Sequence, residues 1–398
     1  MAALKSTINH SIPEDLTLRI LSKLPVKSLK RFQCVKKSWN NLLDDPHFVR
    51  MYYENLMPKS KSSDSCILLK QEIANTNQHN MFLLSGERYE NKMKLDLPPP
   101  IQDNNERFQV LGSCVNGIVC LIPYEIDYND TGNVVFWNPT TNEFKGIPLD
   151  LATVPFHDFA IWYKGFGYDS QRDDYILIRM GQYFSTGEDG DLEVDSPGGL
   201  FEIYYPNGQC RRNISDYLLN EDTEIPIDFA IYLNGACHWR CVLREYTYFV
   251  DGLGTHKKDT FFDTLFSVDI GNNKLTTTLI REYSFGEDHV DRKLVALNKY
   301  VATISMCPNT KCIDISILGE VGVNESWVKL FIIRPLSSIE SVMGIGIQGD
   351  ILLRKNDDEL VSFDLGTQKI QEIDIKGSGL SQTLIYEKSF LRIERITN

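Results

Sequence analysis

Several groups of residues in this chain carry spacings that could do chemistry. The run GIGIQG at 344–349 fits G-x-G-x-x-G, in which glycines let the backbone close on a pyrophosphate. Asp364 lies twenty residues after Gly344, where an acid would meet a ribose hydroxyl. That chemistry needs the glycines to open a helix inside a βαβ unit. Here they lead into Asp350-Ile351-Leu352-Leu353-Arg354, which reads as a strand, so the motif is expected to be a tight turn between strands. Cys237, His238 and Cys241 offer thiolate and imidazole groups to a metal, as do Cys114 with Cys120 and Cys307 with Cys312. Structural zinc sites bring together two closely spaced Cys or His pairs, whereas these residues lie in β runs whose alternate side chains point to opposite faces. Packed cysteines and a hydrogen-bonded core histidine are expected, with no metal and no cofactor.

The acidic stretch GEDGDLEVDSPGG at 187–199 hints at a calcium loop. Counted from Asp189, the sixth position is Val194 where a loop needs Gly, and the twelfth is Leu200 where it needs Glu. A solvated loop or a patch facing a basic partner is the remaining reading. No G-x-S-x-G elbow supports a Ser-His-Asp triad, so no catalytic residue is assigned.

The elements that would position any such residues divide the chain. The 398 residues carry 41 Lys and Arg against 54 Asp and Glu, a net charge of -13, which argues against nucleic acid as a partner. The balance is uneven: residues 1–60 carry a net +5 and residues 61–398 a net -18, as two separate functional surfaces would. Neither a basic-then-apolar leader nor a run of about eighteen apolar residues is present, so no membrane association is expected. Nine irregularly spaced cysteines suit reduced thiols in the cytoplasm or nucleus, where the sequons at Asn9, Asn129, Asn213 and Asn324 would be chance matches.

The N-terminal stretch reads as three short helices. Ser11 can cap the first, with Pro13 in its first turn, Glu14 and Asp15 at its positive end, and Leu16, Ile20 and Leu24 at four-residue spacing before Pro25. The second spans about Val26–Phe32 and the third about Lys36–Leu43, with Trp39 and Leu42 or Leu43 on one face and Asp45-Pro46 as the break. About forty residues make too small a core to stand alone, so a partner or the following domain should cover the apolar stripe.

After a polar linker, residues from about Cys66 onward read as many short strands between Gly, Asn, Asp and Pro turns: CILLK, VVFWN, YILIRM, LFEIYY, YVATISM, CIDISIL, DILLRK and ELVSFDL among them. A unit of strand, polar turn and strand recurs at 134–149, 201–214, 265–280 and 360–375. Trp137, Ile203, Ser267 and Ser362 mark intervals of 66, 64 and 95 residues, with room for another unit near Cys312–Leu318. Such repetition favours a β-propeller over a sandwich and leaves the number of blades open. The fold class is α+β: a small three-helix module, residues 1–50, then a linker, 51–65, and an all-β, propeller-like domain, 66–398.

The N-terminal residues resemble an F-box of the large plant family that also carries an F-box-associated interaction domain. The likeness rests on Ile12-Pro13-Glu14-Asp15-Leu16, Leu24-Pro25-Val26-Lys27-Ser28-Leu29 and Arg31-Phe32-x-Cys34-Val35-x-Lys37-Ser38-Trp39. GSCVNGIVCL (112–121), WNPTTNEFKGIP (137–148), GFGYDSQRDDYILI (165–178) and YLNGACHW (232–239) resemble the associated domain. Ile12 stands where Leu is commoner and Lys36 where many relatives have Cys; the first change conserves volume.

The resemblance implies a non-catalytic substrate-recognition subunit of a ubiquitin ligase. Its F-box would dock on a Skp-type adaptor, and through it on a cullin and a RING protein, while the C-terminal domain binds a protein substrate. Ile12, Pro13, Leu16, Leu24, Pro25, Val26, Leu29, Val35 and Trp39 are the expected adaptor-contact residues, and Ile20, Phe32 and Leu42 are candidates for internal core. The alternatives are a ligase-independent binding module and a propeller enzyme.

Overall fold

The computed structural model describes residues 12–40, 42, 45, 47–48, 51–52, 55, 65–72, 79–102, 108–123, 134–147, 159–186, 192–194, 200–207, 210–214, 230–251, 254–284, 290–376, 382–390 and 393. Ser11, most of the linker and most of the acidic stretch at 187–199 lie outside them.

Three helices come first: α1 (Glu14–Leu21), α2 (Val26–Gln33) and α3 (Lys37–Asn40). Prolines start two of them. Pro13 and Pro25 sit at the N-cap positions with φ of -54° and -57°, and no side chain caps either helix. A proline there costs nothing, because it has no N–H to orphan and its ring already holds φ near the helical value. Each proline carbonyl accepts the first helical bond, from the Thr17 N–H at 3.0 Å and from the Leu29 N–H at 3.1 Å. Glu14 and Asp15 add negative charge at the positive end of α1. The four-residue repeat does not continue to Leu24 within the helix, since α1 ends at Leu21 and Leu24 follows a turn.

Residues 47–48, 51–52 and 55 are also helical, and among the described residues from Ser65 onward the strands form a six-bladed β-propeller. The first blade joins β1 (Ser65–Glu72), β2 (His79–Ser85) and β3 (Asn91–Leu95) to the last strand, β25 (Gln382–Glu387). The second holds β4 (Phe108–Val110), β5 (Val119–Pro123), β6 (Val134–Asn138) and β7 (Glu143–Ile147). The third holds β8 (Phe159–Asp169), β9 (Asp174–Thr186), β11 (Leu200–Tyr205) and β12 (Cys210–Asn213), with β10 (Leu192–Val194) on the far end of β9. The fourth is β13 (Ile231–Leu233), β14 (Ala236–Asp251), β15 (Gly254–Asp269) and β16 (Lys274–Ser284). The fifth is β17 (Asp291–Leu297), β18 (Tyr300–Met306), β19 (Ile313–Leu318) and β20 (Trp327–Ile333). The sixth is β21 (Ile339–Ile345), β22 (Ile351–Lys355), β23 (Glu359–Asp364) and β24 (Lys369–Lys376). All pairings are antiparallel, and β25 against β1 closes the ring with Ile385 opposite Ile67. This pairing covers the edge of β1 that β2 leaves open.

The recurring unit is the hairpin of a blade's third and fourth strands, and in blades two, four and six its turn has a common chemistry. Asn138, Asp269 and Asp364 each end a strand and accept, through the side chain, a backbone N–H two or three residues on. Four residues after each stands Asn142, Asn273 or Gln368 with φ near +57°. An Asx turn followed by a left-handed residue closes the loop without a helix. The β8–β9 turn repeats it with Asp169 and Asp173. The 95-residue interval hides one blade: Ser316 in β19 divides it into 49 and 46. GIGIQG ends β21 and turns into β22, with the Gly346 N–H donating to the Asp350 carbonyl at 2.7 Å.

Up-and-down blades put the turns after first and third strands on one rim, here the first rim. The turns after second strands and the links between blades fall on the other. First-rim turns are short, such as 116–117, 234–235 and 298–299. Second-rim strand ends are joined by longer segments, including 124–133, 148–158 and 187–199.

Candidate functional site

The helices present two faces. Leu21, Leu29, Leu42, Phe48 and Tyr52 are buried in one cluster with Leu297, Tyr300 and Ala302 of blade five and Val361, Phe363 and Leu365 of blade six. Each such side chain taken out of water contributes about 1.5–3 kcal/mol before ordering costs. Phe48 stacks on Tyr52 at 6.4 Å between ring centroids, and Tyr52 lies beside Tyr300 at the 298–299 turn, so the helices sit on the first rim. Burial and the Tyr300 neighbour push ionisation of Tyr52 well above the usual phenol range. The Asn55 amide donates to the Ser22 hydroxyl at 2.9 Å, tying the end of α1 to the same segment.

The opposite face is apolar and open. Ile12, Leu16 and Ile20 form a stripe at four-residue spacing and are 64%, 50% and 55% exposed. Val35 is 66% exposed beyond the end of α2, and Phe32 lies beside Trp39 with ring centroids 6.1 Å apart. The Lys36 ammonium lies 5.8 Å over the Trp39 ring. Exposed Lys23, Arg31, Lys36 and Lys37 outnumber exposed Glu14 and Asp15 here.

Of the nine residues expected at this face, Ile12, Pro13, Leu16, Pro25 and Val35 are exposed, and Leu24 and Trp39 are half-buried against the cluster. Val26 opens α2. Leu29 differs: it is buried among the propeller's side chains. Ile20 and Phe32, candidates for internal core, are exposed, whereas Leu42 is buried. Tyr52, assigned to a linker, is buried too. The 12–16–20 spacing is the sequence signal of the stripe, and Leu24 does not continue it because α1 ends at Leu21.

Residues 10–51 match the family described as F-box domain. Residues 10–51 are an F-box domain. Relatives that match most of the chain have F-box in their names. An F-box/kelch-repeat protein of Arabidopsis thaliana is 24% identical over 82% of this chain and 81% of its own. F-box protein CPR1 of Arabidopsis thaliana is 22% identical over 92% of this chain and 85% of its own. Among solved structures, TolB from Acinetobacter baumannii aligns with a TM-score of 0.43 and 11% identity, covering 84% of this chain and 69% of that one.

Beyond the F-box, several ionisable groups whose protonation is shifted are buried within or between blades. Burial lowers His238 to about 4, and its Nδ1 lies 2.8 Å from the Ser267 hydroxyl. Burial lowers Lys164 to about 8 and raises Cys237 and Cys241 to about 12. Arg179 pairs with Glu202 and Arg292 with Asp263 in the interior. Among the described residues, no group of three or more His, Cys, Asp or Glu side chains is placed to hold a metal ion, and no helix is long and apolar enough to cross a membrane.

Proposed function

We propose that this F-box protein is the substrate-recognition subunit of an SCF-type cullin-RING ubiquitin ligase, acting in the cytoplasm or nucleus. The observation that carries the reading is the two-faced F-box: one face is built into the propeller, and the other offers Ile12, Leu16 and Ile20 to solvent. An apolar stripe of this kind is a surface awaiting a partner. The partner is a Skp-type adaptor, and through it a cullin and a RING protein. The propeller's second rim, turned away from the F-box, binds the protein target. There β14 and β15 pair as far as Asp251 and Gly254, while β16 pairs only up to Thr260, so a two-stranded ribbon projects beyond the blade. The subunit is non-catalytic. Its contribution is to hold a target beside a charged conjugating enzyme at high effective concentration.

The test is a Leu16→Asp, Ile20→Asp double variant of the full chain in an adaptor pull-down, with thermal unfolding measured in parallel. Adaptor capture should vanish while the unfolding midpoint stays put. Undiminished capture would sink the proposal.

A ligase-independent binding module is the second reading, favoured by the F-box side chains that form part of the propeller's core. Cullin co-purifying with the native chain, and lost with the double variant, selects the ligase. Cullin absent from both selects the module.

A further inference from the structure

We infer that Cys307 and Cys312 are a redox pair that a peroxide closes into a disulfide on the second rim of blade five. The inference goes beyond the proposed ligase role and does not depend on it.

The two cysteines flank the β18–β19 turn, immediately beyond the paired residues Met306 and Ile313. The Cys307 N–H donates to the Cys312 carbonyl at 3.1 Å, which makes them the next facing pair of the ladder. The turn between them closes like the recurring hairpin: the Lys311 N–H donates to the Cys307 carbonyl at 2.7 Å, and Lys311 has φ of 54°. Facing residues in an antiparallel pair hold their Cβ atoms about 4.5–5.5 Å apart. A disulfide needs about 3.5–4.5 Å, so a closure of about 1 Å suffices, within reach of a small hinge of the turn.

Register, not accessibility, separates this pair from the other seven cysteines. Cys66, Cys120, Cys237 and Cys241 are buried, Cys114 is half-buried, and Cys34 and Cys210 are exposed. None of these seven has a cysteine opposite it in the strand registers. Cys307 and Cys312 are half-buried, as Cys114 is, and no disulfide joins them in this structure.

The chemistry balances with hydrogen peroxide as oxidant. One thiolate attacks a peroxide oxygen, the O–O bond breaks, and a sulfenic acid and one water result. The second thiolate attacks the sulfenic sulfur, the S–O bond breaks, the S–S bond forms and a second water leaves. Two thiols lose two electrons and the peroxide gains them. So short a loop is stabilised little by the bond, and a thiol reductant reopens it. The Lys311 carbonyl accepts the Leu336 N–H at 3.2 Å, so a locked turn also restrains the link from blade five to blade six.

Trypsin cuts after Lys299, Lys311 and Lys329, placing the two cysteines on separate peptides, 300–311 and 312–329. The reduced full-length chain is treated with equimolar hydrogen peroxide, blocked with N-ethylmaleimide, digested and read by mass spectrometry. The expected result is one linked species, two hydrogens lighter than the sum of the peptides, which separates on reduction. Cys34 and Cys210 remain open to the maleimide. Recovery of the two peptides unlinked, each blocked or singly oxidised, would overturn the inference, as would linkage of either to another cysteine. The readout uses the unaltered chain and needs no variant to fold.

Discussion

Tyr52, carried by the segment after the F-box helices, and Tyr300, the first residue of β18, lie side by side beneath the N-terminal helices, though 248 positions separate them in the chain. The F-box and the propeller should therefore unfold as one cooperative body. Tyr52→Ala should lower stability by about 3 kcal/mol, because an aromatic ring leaves a cavity in a shared core. Urea unfolding followed by both helical and sheet signals should shift as a single transition. Two separated transitions in the native chain would show that the helices are merely tethered.

Side chains on the two F-box faces should respond oppositely to charge. Ile12→Asp with Leu16→Asp should weaken adaptor binding by at least about 30-fold, the loss expected from removing central apolar anchors, with little change in melting. Leu29→Asp should instead unfold the chain, since it places a carboxylate among buried apolar groups. Calorimetric titration against the adaptor alongside thermal melts tells them apart. A Leu29→Asp chain that melts normally yet fails to bind would return Leu29 to the interface.

His238 should make stability fall in acid. Its pKa drops from 6.5 in the unfolded chain to about 4 when folded, because burial disfavours the imidazolium. The unfolded chain therefore takes up a proton that the fold refuses. The stability from this group is complete above pH 6.5 and is lost as pH falls from there toward 4, by at most about 3 kcal/mol. Comparing urea midpoints of the native chain and His238→Asn at pH 7 and pH 4.5 isolates it from the carboxylates. Equal drops in the two proteins would remove the histidine from the account.

Ring closure should depend on a single phenol. Tyr386 in β25 shares its hydroxyl with the Thr140 hydroxyl at 2.7 Å and the Thr140 N–H at 3.1 Å, and reaches Asn138 Oδ1 at 3.2 Å, joining blade one to blade two. Tyr386→Phe should cost about 1–3 kcal/mol by leaving these groups short of a partner. An unchanged denaturation midpoint would mean that water substitutes for it.

Much of this architecture is legible in the sequence, for local reasons. ELVSFDL becomes β23 and YVATISM becomes β18, because β-branched and aromatic residues between polar turns have few other options. Three of the four repeats share an Asx residue and a left-handed residue four apart, which makes them stand out. The corresponding hairpin of blade one, β2 to β3, escapes notice because its turn uses Gly86 and Tyr89 at positive φ instead. What stays hidden is long-range. Nothing near Leu29 announces that its neighbours come from residues 295–365, and nothing in Gln382–Glu387 names β1 as its partner. The exposed stripe was legible as apolar periodicity but not by its orientation, which the helix mount decides.

The closure of the ring by the last strand against the first sets an order of events during synthesis. β1 leaves the ribosome some three hundred residues before β25 exists to cover its edge, and the F-box helices wait for blades five and six before they have a seat. A chain that stops before blades five and six therefore has neither a finished ring nor a seat for its N-terminal helices. Topology itself ties the two ends of the ring together, since the exposed apolar stripe and the second rim are held in fixed relation only once β25 has paired with β1.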